Sequence, residues 1–126
     1  MSRSLLAALP ALILLAGLIW PETGPEFDAA SVKPNVSGDR RRSQRTEGRT
    51  FRASNVPARN LLLQAYGLLF EDYRLVGAPD WVSVDHFDVV ATLPEKAPNS
   101  QVPAMLRAML ADRFKLAAHT ETREAP

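Results

Sequence analysis

The sequence predicts an α+β fold, two helices packed with a mixed or antiparallel sheet in the order β-β-α-β-β-α-β. Three observations carry that expectation. Ala58, Leu61, Leu62, Ala65, Tyr66 and Leu69 recur at i, i+3, i+4, i+7, i+8 and i+11, and Val102, Met105, Leu106, Met109 and Leu110 repeat the pattern. Each series is one apolar stripe of a helix. His86 to Thr92 (HFDVVAT) is apolar and β-branched, as a strand should be. The connections near residue 34 and at Gly77–Trp81 are too short for parallel crossovers, so neighbouring strands should pair antiparallel or mixed.

Taken in order, the chain opens with Met1-Ser2-Arg3-Ser4 and then runs without a charge from Leu5 to Trp20. A positive start followed by an apolar run is the layout of an export signal or a membrane anchor. Sixteen residues of helix reach ~24 Å, short of the ~30 Å hydrocarbon core, and Pro10 interrupts the run. Neither Leu15-Ala16-Gly17 nor Glu22-Thr23-Gly24 forms a small-x-small cleavage pair, so cleavage is left open. Residues 1–20 are therefore assigned as leader, 21–25 as a Pro/Gly linker and 26–126 as one domain. The expected location is outside the cytoplasm, periplasmic or anchored in the inner membrane through residues 5–20.

Within the domain, Glu26 to Lys33 is expected as a first strand stopped by Pro34-Asn35. Residues 36–49 contain no large apolar residue except Val36, and five arginines stand against Asp39 and Glu47. A long polar loop is expected there. Thr50 to Ala53 returns to extended structure. Ser54 or Asn55 can cap the first helix, with Pro57 at its first position and Gly67 at its end. Tyr73 to Val76 is a short strand that leads into Gly77-Ala78-Pro79-Asp80-Trp81. Gly77 supplies a positive φ and Pro79 fixes its own, so Trp81 should fold back onto the core. Asn99 or Ser100 caps the second helix, with Pro103 in its first turn and Arg107 on the polar face. Lys115 to Thr122 is the last strand, with Phe114 closing the helix on the sheet.

Composition bounds the function. Of 126 residues, 46% are hydrophobic and 23% charged, an ordinary globular balance. Without Arg3 the net charge of +1 vanishes, and a neutral body argues against nucleic-acid binding. The absence of cysteine excludes disulfides, thiolate catalysis and Cys-based zinc sites. No GxGxxG, P-loop, HExxH or G-x-S-x-G occurs, and no cofactor is expected. His86 and Asp88 share one strand face, as do His119 and Glu121, and could hold a metal only if the two strands met. Ser83, Asp85 and His86 carry the letters of a hydrolase triad, but neighbours on a strand point apart. Glu71-Asp72 reads as a solvated carboxylate pair. Arg40, Arg41, Arg42, Arg45 and Arg49 are the unusual surface feature. They could grip an anionic polymer or phosphate through bidentate contacts, against the simpler reading of a solvated loop.

Several stretches, taken together, carry a family resemblance. They are Phe27-Asp28-Ala29-Ala30-Ser31-Val32-Lys33-Pro34-Asn35, Phe51 to Val56, Ala65-Tyr66-Gly67, the Gly77–Trp81 corner, Phe87-Asp88-Val89, Leu110 to Leu116 and His119 to Glu124. In this order they resemble the Solibacter-type family of uncharacterised exported proteins, heavily duplicated in soil Acidobacteria. The resemblance implies an exported protein and assigns no activity, cofactor or catalytic residue. It also implies continuation beyond Arg123-Glu124-Ala125-Pro126, so a chain shortened at its C-terminus is expected. The element order is similar to the short N-terminal domains of secretins and TonB-dependent transducers, a likeness of fold alone.

The function expected from all this is a non-catalytic binding or sensing module of the bacterial cell envelope, with an unidentified envelope protein or polymer as partner. Two alternatives stand beside it. One is an envelope hydrolase or metal-dependent enzyme using His86, Asp88 and His119. The other is a structural piece of a larger assembly.

Overall fold

The structure, a computed structural model, describes the backbone of residues 8–16 and 24–124 and the side chains of residues 24–116 and 118. Among the described residues there are seven strands: β1 (Ala8–Ala16), β2 (Ala29–Asn35), β3 (Ser43–Glu47), β4 (Thr50–Pro57), β5 (Leu75–Val76), β6 (His86–Thr92) and β7 (Leu116–Glu124). The helices are α1 (Ala58–Ala65), a single turn α2 (Trp81–Val84) and α3 (Val102–Arg113). The protein is α+β, and its larger sheet is antiparallel throughout in the order β2-β6-β4-β3.

Alternation puts one face of that sheet into the core. Phe51 and Ala53 of β4 and Val89 and Ala91 of β6 are buried, while Arg52 and Val90 stand on the open face. The apolar stripes of the two long helices meet this surface. Leu61, Leu62 and Ala65 of α1 are buried, as are Met105, Leu106 and Leu110 of α3, and the two helices pack on each other. Leu63, off the stripe of α1, is buried too, so α1 is covered on more than one side. Leu69 lies past the end of α1 and is exposed. Arg107 leaves the polar face expected for it: Nη1 donates to the Ala65 carbonyl at 2.7 Å, and the guanidinium lies 5.6 Å from the centre of the Tyr66 ring. A cation at the C-terminal end of α1 satisfies a carbonyl left over by the helix.

The sequence-based boundaries need several corrections. Asn99 and Ser100 do not cap α3: they belong to a 3-10 turn (Asn99–Gln101), and Gln101 occupies the N-cap position. The loop expected over 36–49 contains a strand, because Ser43–Glu47 pairs with β4. Gly48 takes φ +56° at the first of two turn residues, the place where a type II′ hairpin requires glycine. Strand β2 runs through Pro34 to Asn35 instead of stopping before it. Among the described residues β2 is an edge, the place in a sheet where proline is tolerated. Neither Ser54 nor Asn55 caps α1; Pro57 occupies the N-cap position and Asn55 has another role. Tyr73 and Arg74 belong to a 3-10 turn (Asp72–Arg74), leaving a strand of only two residues.

Strand β1 is the middle of a second sheet, in the order β5-β1-β7. It pairs parallel with β5 at Leu12 and Ile13 and antiparallel with β7 along its whole length. Pro10 pairs with Thr122 of β7, and β5 pairs with β1 only at Leu12 and Ile13, so one side of β1 is unpaired by β5 at Pro10. Residues 8–16 of the expected leader thus run as a strand, and residues 1–7 and 17–20 lie outside the described residues. No helix among the described residues is long and apolar enough to cross a membrane.

Candidate functional site

The site begins with an irregularity in β4. Ala53 pairs with Val89 and Val56 with Phe87, so Ser54 and Asn55 together oppose Asp88 alone. This is a β-bulge, and Asn55 sits in it at φ +57°, a conformation asparagine tolerates better than most residues. The bulge frees the Asn55 N–H from the ladder. The opposing residue supplies the replacement acceptor: Asp88 Oδ1 accepts that N–H at 2.9 Å and Asn35 Nδ2 at 2.9 Å. Donation from Asn35, then from the Asn55 backbone, with a smaller contribution from Lys33, holds the Asp88 carboxyl below its ordinary 3.8, against the opposing effect of burial.

The Asn55 side chain, buried at 5% exposure, clamps the arginine loop. Its Nδ2 donates to the carbonyls of Asp39 at 2.6 Å and Arg41 at 2.9 Å. Both amide hydrogens are then spent on acceptors, so Oδ1 faces His86 Nδ1 at 3.0 Å as an acceptor. His86 Nδ1 must carry a hydrogen, and Nε2 is the ring atom left for other work. The loop is also tied along its own length. Asn35 Oδ1 accepts the Ser37 N–H at 2.9 Å, Ser37 Oγ accepts the Asp39 N–H at 3.1 Å, and Asp39 Oδ1 accepts the Arg41 N–H at 2.9 Å.

The five arginines separate into two groups. Arg45 pairs with Glu47 at 2.9 Å, and Arg49 reaches Asp28 at 3.5 Å and the Leu93 carbonyl at 3.1 Å. Arg40, Arg41 and Arg42 have no side-chain partner among the described residues, and all three are exposed. Arg40 and Arg42 line an open cleft of about 910 Å³ with Val36 and Asp39 on the loop side and Val84, Asp85, His86 and Phe87 opposite. Arg41 and Arg42 line a neighbouring cleft of about 620 Å³ next to Asp88. Asn35, Asp39, Arg42 and Asn55 border both.

The Gly77–Trp81 corner leads into α2, whose last residue Val84, with Asp85, His86 and Phe87 after it, forms the wall opposite the loop. Gly77 takes φ +80°, the Ser83 N–H bonds to the Asp80 carbonyl, and Asp80 leads into α2. Trp81 is half-buried: it stacks on Phe114 at 6.1 Å and meets Phe87 edge-on at 6.5 Å. Phe87 in turn meets Phe114 at 4.8 Å, so the cleft floor continues into an aromatic cluster. Pro79 is half-buried in the middle of the corner, and its carbonyl accepts the Val82 N–H.

The other residues singled out by sequence are dispersed. Ser83 is exposed on α2, away from any triad geometry. Glu71 pairs with Arg74 at 3.2 Å and Asp72 with Arg59 at 3.8 Å. His119 and Glu121 lie on β7, in the sheet that does not contain His86, and their side chains lie outside the described residues. Among the described residues no three His, Cys, Asp or Glu side chains form a group that could hold a metal. Asn35 and Asn55 build the site, yet the sequence does not single them out as its residues. The one signal it offers is an Asn inside a strand-like run, two residues ahead of Pro57, where a cap explains it as well as a bulge.

Comparison with known families matches the family described as "Protein of unknown function (DUF3738)" to residues 59–126, more than half of the chain. The chain belongs to this family. Within it, the matched part of this DUF3738 protein includes nearly all of α1, the Gly77–Trp81 corner, β6 and α3, and so one wall of the cleft. The arginine loop and Asn55 lie ahead of the matched residues. No curated protein and no solved structure matches.

Proposed function

We propose that this protein is a non-catalytic binding module of the bacterial cell envelope, and that the cleft beside Asn55 is its anion-binding site. One observation carries this reading. Three adjacent arginines, without side-chain partners among the described residues, sit on a loop whose backbone is fastened by Asn35, Ser37, Asp39 and Asn55. Ordering a polar loop costs roughly 1–2 kcal/mol per residue, and a loop that serves only solubility has no use for that order. A fixed loop presents its guanidinium groups ready for a carboxylate or phosphate, which lowers the cost of binding. Arg45 and Arg49, already engaged, are left out of the site.

The envelope assignment rests on the sequence: Arg3, the charge-free run to Trp20, and the resemblance to the Solibacter-type exported proteins. A reporter fused after Pro126 is expected outside the cytoplasm; reporter activity confined to the cytoplasm contradicts that part. The mass of the recovered protein decides whether the leader is cut. Cleavage after residue 20 would also remove β1 from between β5 and β7.

The anion site is tested by following backbone amide resonances of the full chain during titration with octyl phosphate and, separately, octyl glucoside. Saturable shifts at Ser37–Arg42 and His86 with the phosphate, and none with the uncharged glucoside, are expected. Equal response to both overturns the reading.

A further inference from the structure

The cleft is not lined by charge alone. Val36 is 93% exposed and Val84 69% exposed, and they border the same cleft as Arg40 and Arg42. Phe87 joins them and is held from behind by Phe114 and Trp81. Leaving two valines in water on either side of one cleft is unfavourable by ~25 cal/mol per Å² of apolar surface, and a ligand that covers them recovers it. The cleft volume of about 910 Å³ lies in the range that holds a drug-sized molecule, whereas a bare phosphate would fill only a corner.

We infer that the ligand is an amphipathic acid, a single phosphate or carboxylate head on an apolar body of roughly acyl size. This rests on the anion-site reading and adds the chemical class. The head group meets Arg40 and Arg42, with His86 Nε2 beside them, and the apolar body lies over Val36, Val84 and Phe87. Two carboxylates also border the cleft. Asp39 already accepts the Arg41 N–H, so part of its charge is spent on its own loop. Asp85 is exposed and has no side-chain partner among the described residues, and it works against an acidic head. Removing that charge should therefore tighten binding of an acid and weaken binding of a molecule that also carries an ammonium group.

The experiment compares octyl phosphate, octanoate, octylamine and inorganic phosphate on the full chain by calorimetry, with each amphiphile kept below its micelle concentration. Octyl phosphate and octanoate are expected to bind at least tenfold more tightly than inorganic phosphate, with octylamine silent. Val84→Asp should lower octyl phosphate affinity at least tenfold, and Asp85→Asn should raise it, with both variants unfolding at the wild-type temperature. Their positions on the exposed side of α2 and at its end leave the core untouched. Inorganic phosphate binding as tightly as octyl phosphate, with Val84→Asp unchanged, overturns the amphipathic class while leaving the anion site standing. Octylamine binding best, or no binding by either acid, overturns both. The two acids also separate phosphate from carboxylate recognition, since a phosphate-specific head site leaves octanoate at least tenfold behind.

Discussion

Asn55 is where the loop, the sheet and the cleft meet, and its contribution can be divided by substitution. Asn55→Gly keeps the left-handed backbone but loses the bonds to Asp39, Arg41 and His86. At about 0.5–1.5 kcal/mol per bond, partly recovered by water around the freed loop, destabilisation of about 1–3 kcal/mol is expected. Asn55→Ala should cost about 1 kcal/mol more, because alanine resists φ +57°. Chemical denaturation of the two variants checks this. An alanine variant as stable as the glycine variant would mean that the bulge carries no strain.

Asp88 supplies a dependence on pH at the same scale. Its carboxyl is held below the ordinary value in the folded protein, so ionised Asp88 favours folding above that value. That contribution is lost as pH falls below the ordinary 3.8 and through the lower folded value. Asp88→Asn should therefore be less stable than wild type at neutral pH, with the gap closing toward pH 3. Denaturation midpoints across that range measure the gap, and a gap that stays constant would exclude Asp88 as its source.

Among the elements, the two long helices are legible in the sequence because the physics that forms them is local and periodic. The buried positions of α3 are the five residues of the Val102–Leu110 stripe. Strand β6 is legible for a similar reason, as a run in which β-branched and apolar residues predominate. Strand β3 is not: Ser43-Gln44-Arg45-Thr46-Glu47 has no apolar side to give it away, and only the pairing across Gly48 makes it a strand. The bulge at Asn55 is hidden too, since it exists through Asp88, 33 residues further on. Of the site, the arginines are legible as composition, but which of them are spent on Glu47 and Asp28 is a matter of tertiary placement. The corner element is legible in its residues, and its tryptophan is half-buried against Phe114. Trp81→Ala is expected to cost about 2–3 kcal/mol, near the low end for a large aromatic because part of the ring is already in water. Thermal unfolding measures this, and a variant as stable as wild type would show that the aromatic cluster does not support the cleft wall.

At the scale of the whole molecule, stability and binding are assigned to different parts. The core lies between the helices and one face of the larger sheet, and residues 36–42 add no apolar side chain to it. The binding function is proposed at one end of that sheet, where a loop with three uncommitted arginines shares a cleft with Val84, Asp85, His86 and Phe87. The triple variant Arg40→Ala, Arg41→Ala, Arg42→Ala separates the two most directly. Its unfolding free energy should lie within about 0.5 kcal/mol of wild type, since exposed substitutions rarely do more. Octyl phosphate affinity measured at low and at physiological salt should fall with salt in wild type, because exposed charges are screened over ~8 Å at the higher ionic strength. In the triple variant it should be weak at both. Affinity that is the same in wild type and variant, and unmoved by salt, would contradict the account and leave the arginines as a solvated loop.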